Sequence, residues 1–261
     1  MQWILQDFED TRKLGDALDR LGLPHSWHKV VPFVGDLIPE PVVDDPGAVI
    51  LFGSYTLWRY AAAKGYRPGV FKLRPFVHEA AWQPYLLNGP DALFLPLSEV
   101  STRLADDGTL WFMRPVDDSK EAPGRVYEAG EIIALAERVT RLEADEIPHG
   151  SLRHDTALML SKPVRILKEW RVWVVNEEIV TASLYKEGAR VVYRPEIDAD
   201  AQAFAQRMVA LNPGYQTAYV LDICRTDTGL QLLETNCINA AGFYEANLQR
   251  LAVALERCTA P

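Results

Sequence analysis

The sequence predicts an α/β protein, on three observations. Its first seventy residues alternate short apolar strands with amphipathic helices, a Gly-Ser pair joins the buried-type strand 48–52 to a helix, and the second half carries strand pairs closed by turn residues. The order strand, glycine, helix is that of half of a parallel, doubly wound sheet. At 261 residues the chain can form one large domain or two packed lobes, and 48% hydrophobic with 24% charged residues is an ordinary globular balance. The net charge of -9 argues against a nucleic-acid partner bound through its phosphates, which needs a dense basic surface. No run approaches the roughly 20 apolar residues of a bilayer span. The N-terminus lacks the charged and apolar regions of a signal peptide, so a cytoplasmic protein with no membrane partner is expected.

Taken in order, residues 3–5 read as a strand and 10–21 as a helix with Leu14, Leu18 and Leu21 on one face. The strand 48–52 leads through Gly53-Ser54 to a helix over 55–64. A helix is predicted over 77–87, strands over 91–96 and 109–113, and a long helix over 127–143. Strands follow at 156–160, 170–175 and 179–184, the last two joined by Asn176-Glu177-Glu178. A helix over 200–211 stops at Asn212-Pro213-Gly214, and a terminal helix is predicted over 243–258. Cys224, Cys237 and Cys258 form no C-x-x-C spacing and read as free thiols, and His25 and His28 have no further ligand for a zinc site.

Chemistry concentrates in the second half. Asp222 lies in one apolar run, Asp227 to Gly229 supply a turn, and a second run delivers Glu234 and Asn236 two residues apart. In a hairpin, period-2 alternation sets Glu234 and Asn236 on one face with Asp222 beside them. Three oxygen-bearing side chains of this kind suit a hard cation such as magnesium; a solvated polar face is the plainer reading. Because the set is expected to face solvent, neutralising Asp222 or Glu234 should leave the fold intact. The strand ending in Arg114 runs into a polar loop with Lys120 and Gly124, cations that can follow a polyphosphate or simply be solvated. In 168–175, alternation sets Glu169 and Arg171 on one face, and Lys186 ends the paired strand; cross-strand salt bridging is the alternative for all three. After Asn236, the small residues Ala240-Ala241-Gly242 permit close approach of a ligand, and a helix N-terminus is expected to follow.

The order Arg114-Pro115 with its Lys and Gly loop, Glu169-Trp170-Arg171, Ser183-x-Tyr185-Lys186, and Asp222 followed by Glu234-Thr235-Asn236 resembles the ATP-grasp superfamily. More narrowly it resembles a bacterial and phage clade in which an arginine, here Arg114, stands where most members have a phosphate-contacting lysine. The resemblance implies a Rossmann-like preceding domain over 1–95 and a two-lobed ATP-grasp fold with mixed and antiparallel sheets over 96–261, with a lid lobe to about 157 and a metal-binding lobe from about 158. It implies ATP and Mg2+ as cofactors, with Asp222, Glu234 and Asn236 as metal ligands. Arg114, Lys120, Arg171 and Lys186 face the phosphates, Arg171 and Lys186 as the catalytic cations. Adenine is expected at the hinge near Ser161 and Lys162, where an acidic ribose-binding residue is usual and Lys162 departs from it; Glu169 also counts among the nucleotide-binding residues.

The activity so implied joins a carboxylate to an amine through an acyl phosphate, with a peptide or protein among the possible acceptors. Two other classes stay open on the sequence. A small-molecule kinase would leave phosphate on its product, and a non-catalytic nucleotide-binding module would be expected to lose a metal ligand. The substrates and the oligomeric state are not legible.

Overall fold

The computed structural model describes residues 1–32, 34–89, 91–117, 122–148 and 150–258. Strand β1 (Gln2–Gln6) leads to α1 (Glu9–Leu21), which ends at Gly22 with φ 66°, a left-handed turn that glycine takes without a Cβ clash. Next come β2 (His25–Val30), β3 (Leu37–Ile38), β4 (Val49–Phe52), α2 (Thr56–Lys64) and β5 (Pro68–Gly69). These strands form a sheet ordered β3-β2-β1-β4-β5, parallel except for β3.

A second compact unit spans 74–165. It holds β6 (Leu93–Pro96), α3 (Val100–Arg103), β7 (Leu110–Pro115), β8 (Arg125–Glu128), α4 (Ala129–Thr140) and β9 (Ala157–Ser161), with an antiparallel sheet ordered β6-β9-β7-β8. Its core includes Leu97, Met113, Ile132, Ala136, Leu158 and Leu160.

The chain then returns to the first unit with β10 (Ile166–Val175), β11 (Glu178–Glu187), β12 (Arg190–Arg194), α5 (Ala199–Leu211), β13 (Ala218–Thr226), β14 (Gly229–Asn236) and α6 (Leu248–Leu255). The sheet is antiparallel, in the order β12-β11-β10-β13-β14. Asn176 and Glu177, both at positive φ, make the tight β10–β11 turn. One core joins the two sheets of this unit: Trp3, Leu5 and Phe52 of the parallel sheet pack with Trp173, Val220, Leu14, Leu18 and Leu251. Burying each such side chain contributes roughly 1.5–3 kcal/mol. The compact units therefore divide at 73/74 and 165/166, because the first seventy residues share their core with the C-terminal sheet; the sequence reading divides the chain at 95/96 and 157/158.

Three predicted helices differ. Residues 77–87 form only the short 3-10 turns Phe76–His78 and Gln83–Tyr85, since Pro84 lacks an N–H and disfavours helix at the residue before it. Tyr127 belongs to β8, opposite Trp111, and α4 starts two residues later behind Glu128, whose N–H donates to Glu131 Oε2 at 2.9 Å. The terminal helix begins at Leu248 rather than at Phe243, capped by Asn247 Oδ1 on Arg250 N at 3.0 Å, because Tyr244 at φ 49° breaks any helix before it. Strand β12 was not anticipated.

Candidate active site

The pairing of β10, β13 and β14 assembles the proposed site within the first unit. Arg171 lies opposite Asp222, and Asp222 opposite Glu234, so three neighbouring strands bring a cation and two carboxylates into line. Asn236 Nδ2 donates to Asp222 Oδ2 at 3.0 Å and to Glu234 Oε1 at 2.9 Å, which closes the set of three oxygen-bearing residues. Asp222 has no exposed surface. The expected solvent-facing carboxylate is thus wrong for this residue, since the Arg171 fork from β10 and the Asn236 amide from β14 cover both its oxygens.

Arg171 grips Asp222 with both ends of its fork, Nε to Oδ1 at 2.9 Å and Nη2 to Oδ2 at 2.7 Å, while Nη1 donates to Gly242 O at 3.2 Å. Burial opposes its charge, but the Asp222 carboxylate outweighs that penalty and the guanidinium pKa is raised. The ring of Tyr244 stands 4.8 Å from the guanidinium. Tyr244 itself lies between Tyr185 and Tyr193, stacked on each at 5.0 Å. Burial pushes the Tyr185 phenol well up, and the charges of Asp222 and Glu169 add to the shift. Its hydroxyl donates to Glu169 Oε2 at 2.6 Å, and Lys186 Nζ pairs with Glu169 Oε1 at 2.8 Å. Glu169 and Lys186 therefore form a cross-strand salt bridge, the alternative that the sequence left open for both.

The loop after β14 is bolted to the parallel sheet. Asn239 Nδ2 donates to Leu51 O at 2.7 Å, its Oδ1 accepts from Phe71 N at 2.9 Å, and its backbone carbonyl accepts from Gly53 N at 2.9 Å. Ser54 N donates to Gln6 Oε1 at 2.7 Å. The Gly53-Ser54 turn thus spends its amides inside the fold. No helix N-terminus follows Gly242 directly, where one had been expected for an anion; α6 starts at Leu248.

The other candidates lie in the second unit. Arg114 on β7 is buried, with Nε donating to Pro115 O at 3.1 Å and its guanidinium 5.2 Å from the Phe76 ring. Ser161 ends β9, and its buried Oγ has no hydrogen-bond partner; Lys162 lies over the Trp111 ring at 4.4 Å. Lys120 falls outside the described residues. Among the described residues, no group of three or more His, Cys, Asp or Glu side chains is placed to share a metal ion. The set at β13–β14 has two carboxylates and an amide.

Sequence reasoning missed Tyr244 as a neighbour of Arg171, Tyr193 as the ring stacked on Tyr244, Asn239 as the bolt, and Asp10, whose Oδ2 lies 3.6 Å from the position a Cβ on Gly242 would take. None carries a local pattern. Each acts through residues distant in sequence.

Over residues 6–255 the chain matches the model of the ATP-grasp domain, R-2-K clade family 3, and it belongs to that family. Among solved structures it is similar to D-cycloserine synthetase, at 17% identity and TM-score 0.57, over 98% of this chain and 99% of that one. It is also similar to a D-alanine–D-alanine ligase from Bacillus anthracis complexed with ATP, at 11% identity and TM-score 0.57, over 98% and 95%. A third is a RimK domain ATP-grasp protein from Sphaerobacter thermophilus, at 14% identity and TM-score 0.56, over 99% and 96%. A search of curated proteins returns no match. At these identities the likeness is one of fold. No helix among the described residues is long and apolar enough to cross a membrane.

Proposed function

We propose that the protein is an ATP- and magnesium-dependent ligase that joins a carboxylate to an amine through an acyl phosphate. The observation that carries this reading is the convergence of Asp222, Glu234 and Asn236 beside a buried, fully charged Arg171. The donor set fits magnesium in kind, since Asp222 and Glu234 offer carboxylate oxygen and no sulfur or imidazole is present; Asn236, which donates Nδ2 to both carboxylates, would add its Oδ1 after its amide turns over. When bound, the ion supplies positive charge where charge develops on the transferred phosphoryl group.

The chain's own residues do the rest. Arg171 is preorganised, with its fork on Asp222 and Nη1 on the Gly242 carbonyl, so its charge stands ready without reorganisation as a phosphoryl group moves to the carboxylate. Lys186, half-exposed on β11, is a mobile point charge that can leave Glu169 for an anionic ligand. Arg114, Ser161 and Lys162 are assigned to the nucleotide. The free hydroxyl of buried Ser161 supports that role, since a buried polar group without a partner is uncommon unless a ligand completes it. The fold similarity to a D-alanine–D-alanine ligase and to D-cycloserine synthetase is consistent with amide-forming chemistry but does not name a substrate.

Native mass spectrometry for bound nucleotide, then an ADP-release screen over pools of carboxylates and amines, tests the reading. With 18O in the carboxylate, the released phosphate should carry label. Unlabelled phosphate retained on a product would replace the ligase with a kinase.

A further inference from the structure

Arg171 and Lys186, the two cations assigned to phosphoryl transfer, are joined by an unbroken series of side-chain contacts. Lys186 Nζ pairs with Glu169 Oε1 at 2.8 Å, and the Tyr185 hydroxyl donates to the other oxygen of that carboxylate at 2.6 Å. The Tyr185 ring stacks on Tyr244 at 5.0 Å with 20° between the planes. The Arg171 guanidinium then lies 4.8 Å from the centre of the Tyr244 ring and 5.8 Å from that of Tyr185. At such distances the ring quadrupole attracts a cation, and more strongly where water is excluded.

Tyr244 is held in this place from several directions. Tyr193 on β12 completes the stack at 5.0 Å and 15°. The loop that carries Tyr244 is stitched along β11 by two hydroxyls, Glu245 N donating to Ser183 Oγ at 3.4 Å and Asn247 N to Thr181 Oγ1 at 2.9 Å. Its φ of 49° is a conformation that an aromatic residue keeps only where its surroundings over-determine it. Two residues earlier, the same loop presents the Gly242 carbonyl to Arg171 Nη1 at 3.2 Å. Ring and carbonyl therefore reach the guanidinium from one short segment, and whatever fixes Tyr244 fixes both.

We propose that Tyr244 is a positioning residue. Its ring and the Gly242 carbonyl set where the Arg171 charge stands, and through Tyr185 and Glu169 the same stack holds Lys186 in register with it. The phenol adds no charge of its own, because burial pushes its pKa up. The inference rests on the ligase reading for what the two cations do, but not for how they are held.

Three variants test it, each with its stability followed in urea. Tyr244→Phe keeps the ring and should behave as the parent. Tyr244→Leu keeps apolar bulk and removes the ring, so kcat and kcat/KM for ATP should fall together, about tenfold or more, with KM within about twofold. Tyr193→Leu breaks the stack one ring away from Arg171, at a half-exposed position, and should lower kcat about threefold even if Tyr244→Leu does not fold. A readout independent of turnover is 15N NMR of the arginine side chains. Slow rotation of the held Arg171 guanidinium should give separate Nη signals in the parent and in Tyr244→Phe, and merged signals in Tyr244→Leu. Unchanged Arg171 signals or a parent-like kcat in Tyr244→Leu overturns the proposal, as does a raised KM with kcat intact, which would make Tyr244 a substrate contact. Equal loss in Tyr244→Phe also overturns it, by giving the role to the hydroxyl. If the parent turns over ATP with no carboxylate and amine, the ligase reading falls, and the Arg171 signals still decide whether Tyr244 positions the guanidinium.

Discussion

Two arginine–aspartate groupings share the antiparallel sheet of the first unit, and they differ in almost everything that decides their energetics. Arg171–Asp222 is bidentate, with side chains 9% and 0% exposed. Arg225 on β13 meets Asp200 at 2.8 Å and Asp198 at 3.2 Å, with exposures of 28%, 60% and 37%. Solvent screens the second, whereas burial shields the first. A buried pair adds little net stability as a whole, because desolvation offsets attraction, yet removing one partner strands a charge in the interior. The exposed grouping can lose a member to solvent at small cost. Glu169–Lys186 falls between them, at 7% and 39%.

The largest expected effect is at the buried pair. Asp222→Asn should cost about 3–5 kcal/mol of stability in urea unfolding and abolish ATP turnover. The double change Arg171→Met with Asp222→Leu should recover most of the stability and none of the activity. Cys224, two residues along β13, reports on the same place: burial pushes its thiol up to about 12, with the Glu169 and Asp222 charges adding to the shift. Cys224 should resist thiol reagents at pH 8 in the parent and react faster in Asp222→Asn. A loss below about 1 kcal/mol would mean that water reaches the pair, and the contrast drawn above would collapse.

An intermediate effect is expected at Lys186. Lys186→Ala leaves Glu169 buried with only the Tyr185 hydroxyl and should cost about 1–2 kcal/mol, together with a loss of ATP turnover. A stability change equal to that of Asp222→Asn would show that exposure does not set the order.

The smallest effect belongs to Arg225→Ala, at most about 1 kcal/mol and reduced further in high salt. Its pH dependence has a defined sign. The hydrogen bond from Arg225 holds the Asp200 carboxyl below its usual 3.8, so the stabilisation is complete above that value and is lost as pH falls through the lower, folded value. In NMR titration the substitution should raise the Asp200 pKa toward the ordinary range. An unmoved titration would remove the link between the two residues.

The sequence by itself determined the elements and the kinds of residue at the site. Period-2 alternation put Glu234 and Asn236 on one face, the turn at Asp227 set the hairpin, and the strand, glycine and helix order specified the parallel sheet, because these signals act over a few residues. Proline chemistry at residue 84 is equally local, and the predicted helix over 77–87 fails there. Only the tertiary structure decided who pairs with whom. Arg171 and Asp222 are 51 residues apart, Asn239 and Leu51 188 apart, and nothing in either segment specifies the other. The same holds for burial. Whether Asp222 faced water or the interior depended on β10 and β14 pairing on either side of it and bringing Arg171 and Asn236 onto its oxygens, and burial is what turns an ordinary carboxylate into a costly, tightly held charge.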